Sequence, residues 1–130
     1  MLSALALKPE ELITSDKLAQ SVNTNPVVIR RLLCELNEAG LIETQRGPHG
    51  GARLARAAED ITLAQIYRSA VGEIEPFGAH PQEPARKCPV GRNIKKTLQS
   101  VADRARQAVE REYESITLAE IVREVQSLPA

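Results

Sequence analysis

The sequence predicts a mainly α-helical protein with one small β-hairpin. Three observations carry this prediction. Apolar residues recur at three- and four-residue spacing through most of the chain. Glycines and a proline separate two short strand-like segments, 41–45 and 52–55. Aromatic side chains are scarce, so Leu, Ile, Val and Ala must build the core, which suits closely packed helices.

Length and composition describe an ordinary small globular protein. The chain has 130 residues, 42% of them hydrophobic and 26% charged, which is enough for one modest core. The formal net charge is zero, so no overall basic field points to a nucleic-acid partner. There is no membrane-spanning apolar run and no export leader, and we therefore expect a cytoplasmic protein without a membrane partner.

Three helices are predicted in the first forty residues. An apolar fragment at 1–7 is followed by a helix that Thr14 or Ser15 can cap and that stops near Asn23. Asn25 followed by Pro26 is a strong start for a third helix running to Gly40. Apolar spacing in that helix predicts one buried stripe, formed by Ile29, Leu32, Leu33 and Leu36.

The two strand-like segments enclose a loop at 46–51 that contains three glycines and a proline, and together they predict a hairpin. A hexamer that starts a helix at 61–66 is repeated closely at 116–121. In both copies a threonine can cap the helix, and Thr117 with Glu120 has the spacing of a capping box. The first of these helices is expected to end at Gly72.

A proline-rich segment at 73–90 is predicted to be a linker or loop, and a long helix follows at 91–113. One face of this helix, its seam, approaches a heptad pattern, and we expect a partner helix to cover it. The seam consists of Ile94, Leu98, Val101, Ala105, Ala108 and Glu112. We therefore divide the chain into a domain at 1–72, a linker or sensor loop at 73–90, and a dimerisation helix with a C-terminal helix at 91–130.

Helix, three-residue turn, capped helix, strand, glycine loop and strand is the order of a winged helix-turn-helix. The major groove of B-DNA admits one helix, and this order therefore predicts a module that binds double-stranded DNA. Between residues 23 and 56, five arginines and three glutamates give 5 − 3 = +2. The predicted DNA-binding residues are Thr24, Asn25, Val27, Val28, Arg30 and Arg31 in the helix, and Arg46, Gly47, His49 and Gly50 in the wing.

Their individual roles stay open at this point. Asn25 can pair with an adenine edge or serve only as the helix cap, and the valines can meet thymine methyl groups. The arginines can read guanine or hold phosphates. Glycines in the wing would let its backbone approach phosphates or the minor groove closely.

Several segments resemble the Rrf2 family of bacterial regulators, and the resemblance covers nearly the whole chain. They are Ser21–Arg31, Gly40–Ile42, Arg46–Leu54, Ile61–Leu63, Cys88–Gly91 and Ile116–Ile121. The resemblance implies a homodimer through the long helix, an operator with two-fold symmetry, and repression as the usual mode. Members of that family carry further N-terminal residues that complete the first helix.

Many members of that family sense iron–sulfur clusters or nitric oxide through three cysteines before the long helix. Here only Cys88 remains, matching the last of the three, whereas a cluster normally takes several thiolates. We therefore expect no metal and no cofactor. Cys34 and Cys88 are too far apart in sequence for a disulfide framework or a self-contained metal motif.

Cys88 is a redox-sensing candidate, because Pro89 would be a natural first helical residue and Arg86 and Lys87 lie beside it. A helix N-terminus and nearby cations lower the pKa of a thiol below its free value of about 8.5. The alternative is a small cap residue without reactivity. Cys34, in the third helix, is predicted to be a small buried hydrophobe.

Two other function classes are an enzyme and a protein-binding adaptor. The sequence shows no carboxylate pair, no Ser/His/Asp order and no phosphate loop, so we expect no enzyme. The second is a winged-helix adaptor that binds protein instead of specific DNA. That alternative predicts acidic or apolar exposure over 25–31, whereas DNA binding predicts a continuous positive face that includes the wing.

Overall fold

Six helices and one antiparallel hairpin make up the computed structural model, which describes residues 1–76, 85 and 87–129. A short 3₁₀ turn at Ala58–Asp60 joins the hairpin to the later helices. The elements are α1 (Leu2–Ala6), α2 (Ser15–Val22), α3 (Pro26–Glu38), β1 (Ile42–Gln45), β2 (Gly51–Leu54), α4 (Leu63–Ala70), α5 (Pro89–Ser115) and α6 (Leu118–Ser127). The predicted fold class, mainly helical with a small hairpin, is confirmed.

The turn between α2 and α3 forms as predicted. Thr14 caps α2, its hydroxyl accepting a hydrogen bond from the backbone N–H of Lys17 at 3.3 Å. Asn23 ends α2 in the left-handed conformation, with φ of 56°, which asparagine tolerates better than most residues. The Asn25 side chain then caps α3, and Pro26 occupies the first helical position.

One hydrophobic core joins the start and the end of the chain. Leu5 of α1, Leu18 of α2 and Ile61 are completely buried, and Leu118 of α6 belongs to the same cluster. On α3 the predicted stripe is buried at Ile29, Leu33 and Leu36 and half-buried at Leu32. The core therefore fixes the orientation of α3 through its buried stripe, and the opposite face of the helix is exposed to solvent.

The hairpin pairs Ile42 with Leu54 at its base and Gln45 with Gly51 near its tip. A third segment joins it, because Ile13 forms a bridge to Ala52 through two backbone hydrogen bonds of 2.9 Å each. Ile13 directly precedes the Thr14 cap, so strand β2 of the wing is attached to the start of α2.

The repeated hexamers meet each other in the structure. Thr62 and Thr117 form an antiparallel bridge, in which the N–H of Leu63 donates to Ile116 at 2.9 Å and that of Leu118 donates to Ile61 at 2.8 Å. Both threonines cap their helices, as predicted. The complete capping box is at Thr62 and Gln65, however, while the Thr117 hydroxyl only accepts from the N–H of Glu120.

The long helix α5 runs from Pro89 to Ser115, two residues longer at each end than predicted. It packs on α4 near its C-terminal end, where the rings of Tyr67 and Tyr113 lie 5.6 Å apart and Arg68 pairs with Glu114 at 3.0 Å. No described residue of α5 is fully buried. On the predicted seam Leu98 is 54% exposed and Val101 is 43% exposed.

Half of the predicted sensor loop, residues 77–84 and 86, lies outside the described residues. The division at 72 and 90 stays a prediction. None of the helices that the structure describes is long and apolar enough to cross a membrane.

Candidate nucleic-acid interface

The predicted recognition residues of α3 lie on its outer face. Thr24, Asn25, Val27, Val28, Arg30 and Arg31 are all exposed, and Val27 reaches 64%. Ile29, between them, is 1% exposed because it points into the core. A helix whose inner stripe is held so firmly presents its outer residues in fixed directions, which direct reading of DNA requires.

Asn25 acts as a cap in the free protein. Its Oδ1 atom accepts a hydrogen bond from the backbone N–H of Val27 at 2.8 Å. Of the two roles left open by the sequence, Asn25 therefore performs the capping role. Capping uses only the Oδ1 atom, so the NH₂ group of the same side chain stays available as a donor.

Both arginines of this face have acidic neighbours. Arg30 Nη2 lies 3.7 Å from Asp16 Oδ1 of α2, and Arg31 Nε lies 3.7 Å from Glu35 Oε1 one turn further along α3. Exposed pairs of this kind contribute roughly 0–1 kcal/mol. They orient the guanidinium groups without preventing them from exchanging a carboxylate for a phosphate or a base.

The wing ends in a tight turn. The N–H of Gly50 donates to the carbonyl of Gly47 at 3.0 Å, with Pro48 and His49 between them. Arg46, Gly47 and His49 are exposed, as a contact to DNA requires. Gly50 is half-buried, and a Cβ there would collide with the Gln45 carbonyl, so this glycine closes the turn within the wing.

Four of the five arginines between residues 23 and 56 have a side-chain partner. Besides Arg30 and Arg31, Arg53 pairs with Glu43 across the hairpin, and Arg56 donates to Gln65 at 3.5 Å. Arg46 makes no hydrogen bond or ion pair with any residue that the structure describes. Its charge is thus the least compensated of the five.

The exposed face is not purely cationic, because Val27 and Val28 lie on it beside the arginines. Apolar exposure at these positions was expected of an adaptor. Valines are equally suited to thymine methyl groups. An exposed face of this composition therefore suits either function.

The prediction that Cys34 is buried is wrong, since its side chain is exposed. Cys34 follows Arg30 by four residues and Val27 by seven, and at 100° per residue these three share one outward face. The sequence signal was present in this spacing. The contact of Asp16 with Arg30 was also missed, because fourteen residues separate the two and only the packing of α2 on α3 joins them.

Cys88 is exposed and occupies the N-cap of α5, with Pro89 as the first helical residue. Its side chain makes no capping hydrogen bond. The position predicted from the sequence is therefore confirmed. Of the two predicted neighbouring cations, Lys87 is exposed and Arg86 lies outside the described residues.

The sequence model of the Rrf2 family matches residues 1–124, and it describes the family as an iron-dependent transcriptional regulator. The cysteines of this chain do not fit an iron–sulfur cluster. The whole chain has two cysteines, which lie on α3 and at the start of α5, whereas an iron–sulfur cluster normally takes four thiolates. Nowhere in the described ranges do three or more His, Cys, Asp or Glu side chains gather as metal ligands.

A curated relative agrees with the family model. YwnA of Bacillus subtilis, assigned as an HTH-type transcriptional regulator, is 36% identical over 113 residues, which are 87% of this chain and 84% of YwnA.

Two solved structures have the same fold. CymR, described as the global cysteine regulator of B. subtilis, superposes with a TM-score of 0.69 at 27% identity, covering 95% of this chain and 88% of CymR. A protein of Lactobacillus plantarum assigned as a transcriptional regulator gives a TM-score of 0.81 at 26% identity, covering 95% of this chain and 83% of that one. A match over nearly the whole chain, from α1 to α6, decides between the two function classes: this protein belongs to the Rrf2 family and is a DNA-binding transcription regulator.

Proposed function

We propose that the chain is a homodimeric, sequence-specific operator-binding repressor, without catalytic activity, that works in the bacterial cytoplasm. The observation that carries this proposal is the exposed face of α3, where two arginines and two valines stand over a buried stripe. In the proposed complex α3 enters the major groove and the wing follows the neighbouring phosphates.

We assign different DNA contacts to the valines and to the arginines. Val27 and Val28 would meet thymine methyl groups, and Arg30 and Arg31 would bind guanine edges or phosphates. Arg46, with its uncompensated charge at the wing, would contact a phosphate or enter the minor groove. Phosphate contacts supply affinity for any DNA, and base contacts supply the preference for an operator.

The test uses a duplex selected from genomic fragments with the purified protein. We expect Arg30→Ala and Arg31→Ala to weaken binding to this duplex, by about 1–3 kcal/mol for an arginine that reads a base. Arg123→Ala is the matched control, because Arg123 is exposed on α6. Unchanged affinity in both α3 variants, at fixed salt, would refute the docking.

Dimer formation is proposed through α5. Its seam leaves Leu98 and Val101 exposed in the single chain, and an apolar stripe along a helix of 27 residues is stabilised by a second copy. Val101→Glu should yield monomers in sedimentation at concentrations where the parent is dimeric. Lys96→Glu places the same carboxylate on the opposite face and should stay dimeric; dimers in both variants would exclude this interface.

Repression follows if the operator overlaps a promoter, since a bound dimer then excludes the polymerase. A reporter that carries the selected duplex should lose expression when the parent protein is supplied and regain it with Arg30→Ala. Increased expression with the parent would show activation instead.

Thiol sensing is proposed at Cys88, whose exposed side chain at the start of α5 makes no capping bond. Hydrogen peroxide would oxidise the thiol to a sulfenic acid and be reduced to water, altering the segment between α4 and α5. Peroxide should lower DNA affinity in the parent but not in Cys88→Ser. Cys34→Ser is the necessary control, because Cys34 is exposed on α3; a response lost only in that variant would contradict the proposal for Cys88.

A further inference from the structure

We infer that Asp16 is a positioning residue for Arg30 and thereby raises the preference of the protein for its operator over other DNA. The inference rests on the proposed docking of α3. Its structural basis is the contact between α2 and α3, where Arg30 Nη2 lies 3.7 Å from Asp16 Oδ1. In the described part of the chain this is the one ion pair that joins these two helices.

The pair lies where DNA would meet it. The side chains of Asp16 and Arg30 are 71% and 59% exposed, so neither is enclosed by protein. Arg30 shares its outward face with Val27, and the carboxylate of Asp16 is held beside that face by the first turn of α2. A carboxylate in this place repels phosphates, which every DNA sequence presents. Asp16 therefore opposes general DNA binding unless a cation compensates it.

Arg30 supplies the compensation and can also read a base. Its guanidinium group has five N–H donors in a planar fork, and contact with Asp16 at Nη2 leaves the others available. Guanine offers two acceptors that match such a fork. At the correct base, Arg30 can thus bind DNA while it still neutralises Asp16.

At other sequences no matching base edge is present. The strongest contact that the Arg30 guanidinium group can then make is with a phosphate. That movement leaves Asp16 unpaired beside the DNA backbone. The repulsion between this carboxylate and the phosphates weakens non-specific complexes but does not weaken the operator complex. Arg31 differs, because its partner Glu35 lies on the same helix at i+4 and the pair follows the helix axis.

The experiment compares a duplex selected from genomic fragments with a scrambled duplex of the same length and composition. We expect Asp16→Asn to tighten binding to the scrambled duplex and to lower the ratio of the two affinities by up to about fivefold, the effect of one exposed charge pair. For the scrambled duplex, the slope of log affinity against log salt should become steeper, by up to about 0.9 per subunit, because one negative charge fewer lies beside the phosphates. Asp16→Glu, which keeps the charge, should restore most of the ratio.

Glu11→Gln is the matched control, because it removes a carboxylate from another exposed pair, that with Lys8 at 3.0 Å. In the variant Asp16→Asn with Arg30→Ala, the effect of the first substitution on the ratio should vanish. If Asp16→Asn shifts both duplexes by the same factor, or acts equally with and without Arg30, the inference is wrong. If Arg30→Ala alone changes neither affinity, the inference is also wrong, and if Arg31→Ala changes neither affinity as well, the docking of α3 fails.

Discussion

Gly51 of the wing approaches Ile13 so closely that a Cβ atom on the glycine would lie 2.8 Å from the carbonyl carbon and oxygen of Ile13. This approach accompanies the bridge between Ile13 and Ala52, which attaches the hairpin to the residue before the α2 cap. The wing and the helix-turn-helix are therefore built as one unit, and a side chain at position 51 would separate them.

We predict that Gly51→Ala destabilises the protein more than Gly47→Ala does. Both glycines have positive φ, 154° and 107°, so both substitutions strain the backbone, by about 1–3 kcal/mol. Only position 51 adds a collision with the Ile13 backbone, because position 47 has no atom within 4 Å of a Cβ. Urea unfolding measures the two losses. Equal losses would show that Ile13 imposes no restriction on position 51.

Removing the cap of α4 should also cost stability. Thr62 accepts from the N–H of Gln65 at 3.3 Å, while the Gln65 side chain accepts from the N–H of Thr62 at 3.1 Å. We expect Thr62→Ala to lower the free energy of unfolding by about 1 kcal/mol and Thr62→Ser to have little effect, because serine keeps the hydroxyl. A serine variant as unstable as the alanine variant would attribute the loss to the threonine methyl group.

Cys34 should react rapidly with a thiol reagent in the folded protein. In Cys88→Ser it is the one remaining thiol, and its exposed position on α3 predicts alkylation without prior unfolding. Mass spectrometry over time measures the rate. Labelling that occurs only in denaturant would show that Cys34 is buried and would contradict its exposed position. Bound operator should slow the reaction, since Cys34 follows Arg30 by one turn.

Arg46 should set part of the salt dependence of DNA binding. We expect Arg46→Ala to flatten the slope of log affinity against log salt by about 0.9 per subunit, the value for one phosphate contact. Arg53→Ala is the comparison, because Arg53 is paired with Glu43 across the hairpin. A larger change from Arg53 than from Arg46 would mean that the wing meets DNA along its strands and not at its tip.

Local signals predicted the elements well. Asn25-Pro26, Thr62 and Thr117 each start a helix by a side-chain cap or a fixed φ, and such effects depend on neighbours in sequence. The glycine loop likewise predicted the hairpin. The outer face of α3 could be predicted in the same way, since the buried stripe determines which residues of the helix remain exposed.

Contacts between distant segments could not be predicted in this way. The bridge between Thr62 and Thr117, the pair of Asp16 with Arg30, and the approach of Gly51 to Ile13 each depend on how separate elements pack. Cys34 is different, because its spacing from Arg30 already placed it outside. Free cysteine is nevertheless among the most often buried residue types, which favoured the opposite prediction.

The most direct test of the docking is site-specific crosslinking. In a chain with Cys34 and Cys88 changed to serine, Val27→Cys carries a photoactivatable label on the outer face of α3, where Val27 is 64% exposed. Val125→Cys carries the label on α6, where Val125 is 55% exposed. With the selected duplex bound, we predict crosslinks to DNA bases from position 27 and none from position 125. Crosslinks from 125, or bound DNA without crosslinks from 27, would contradict the proposal that α3 reads the DNA.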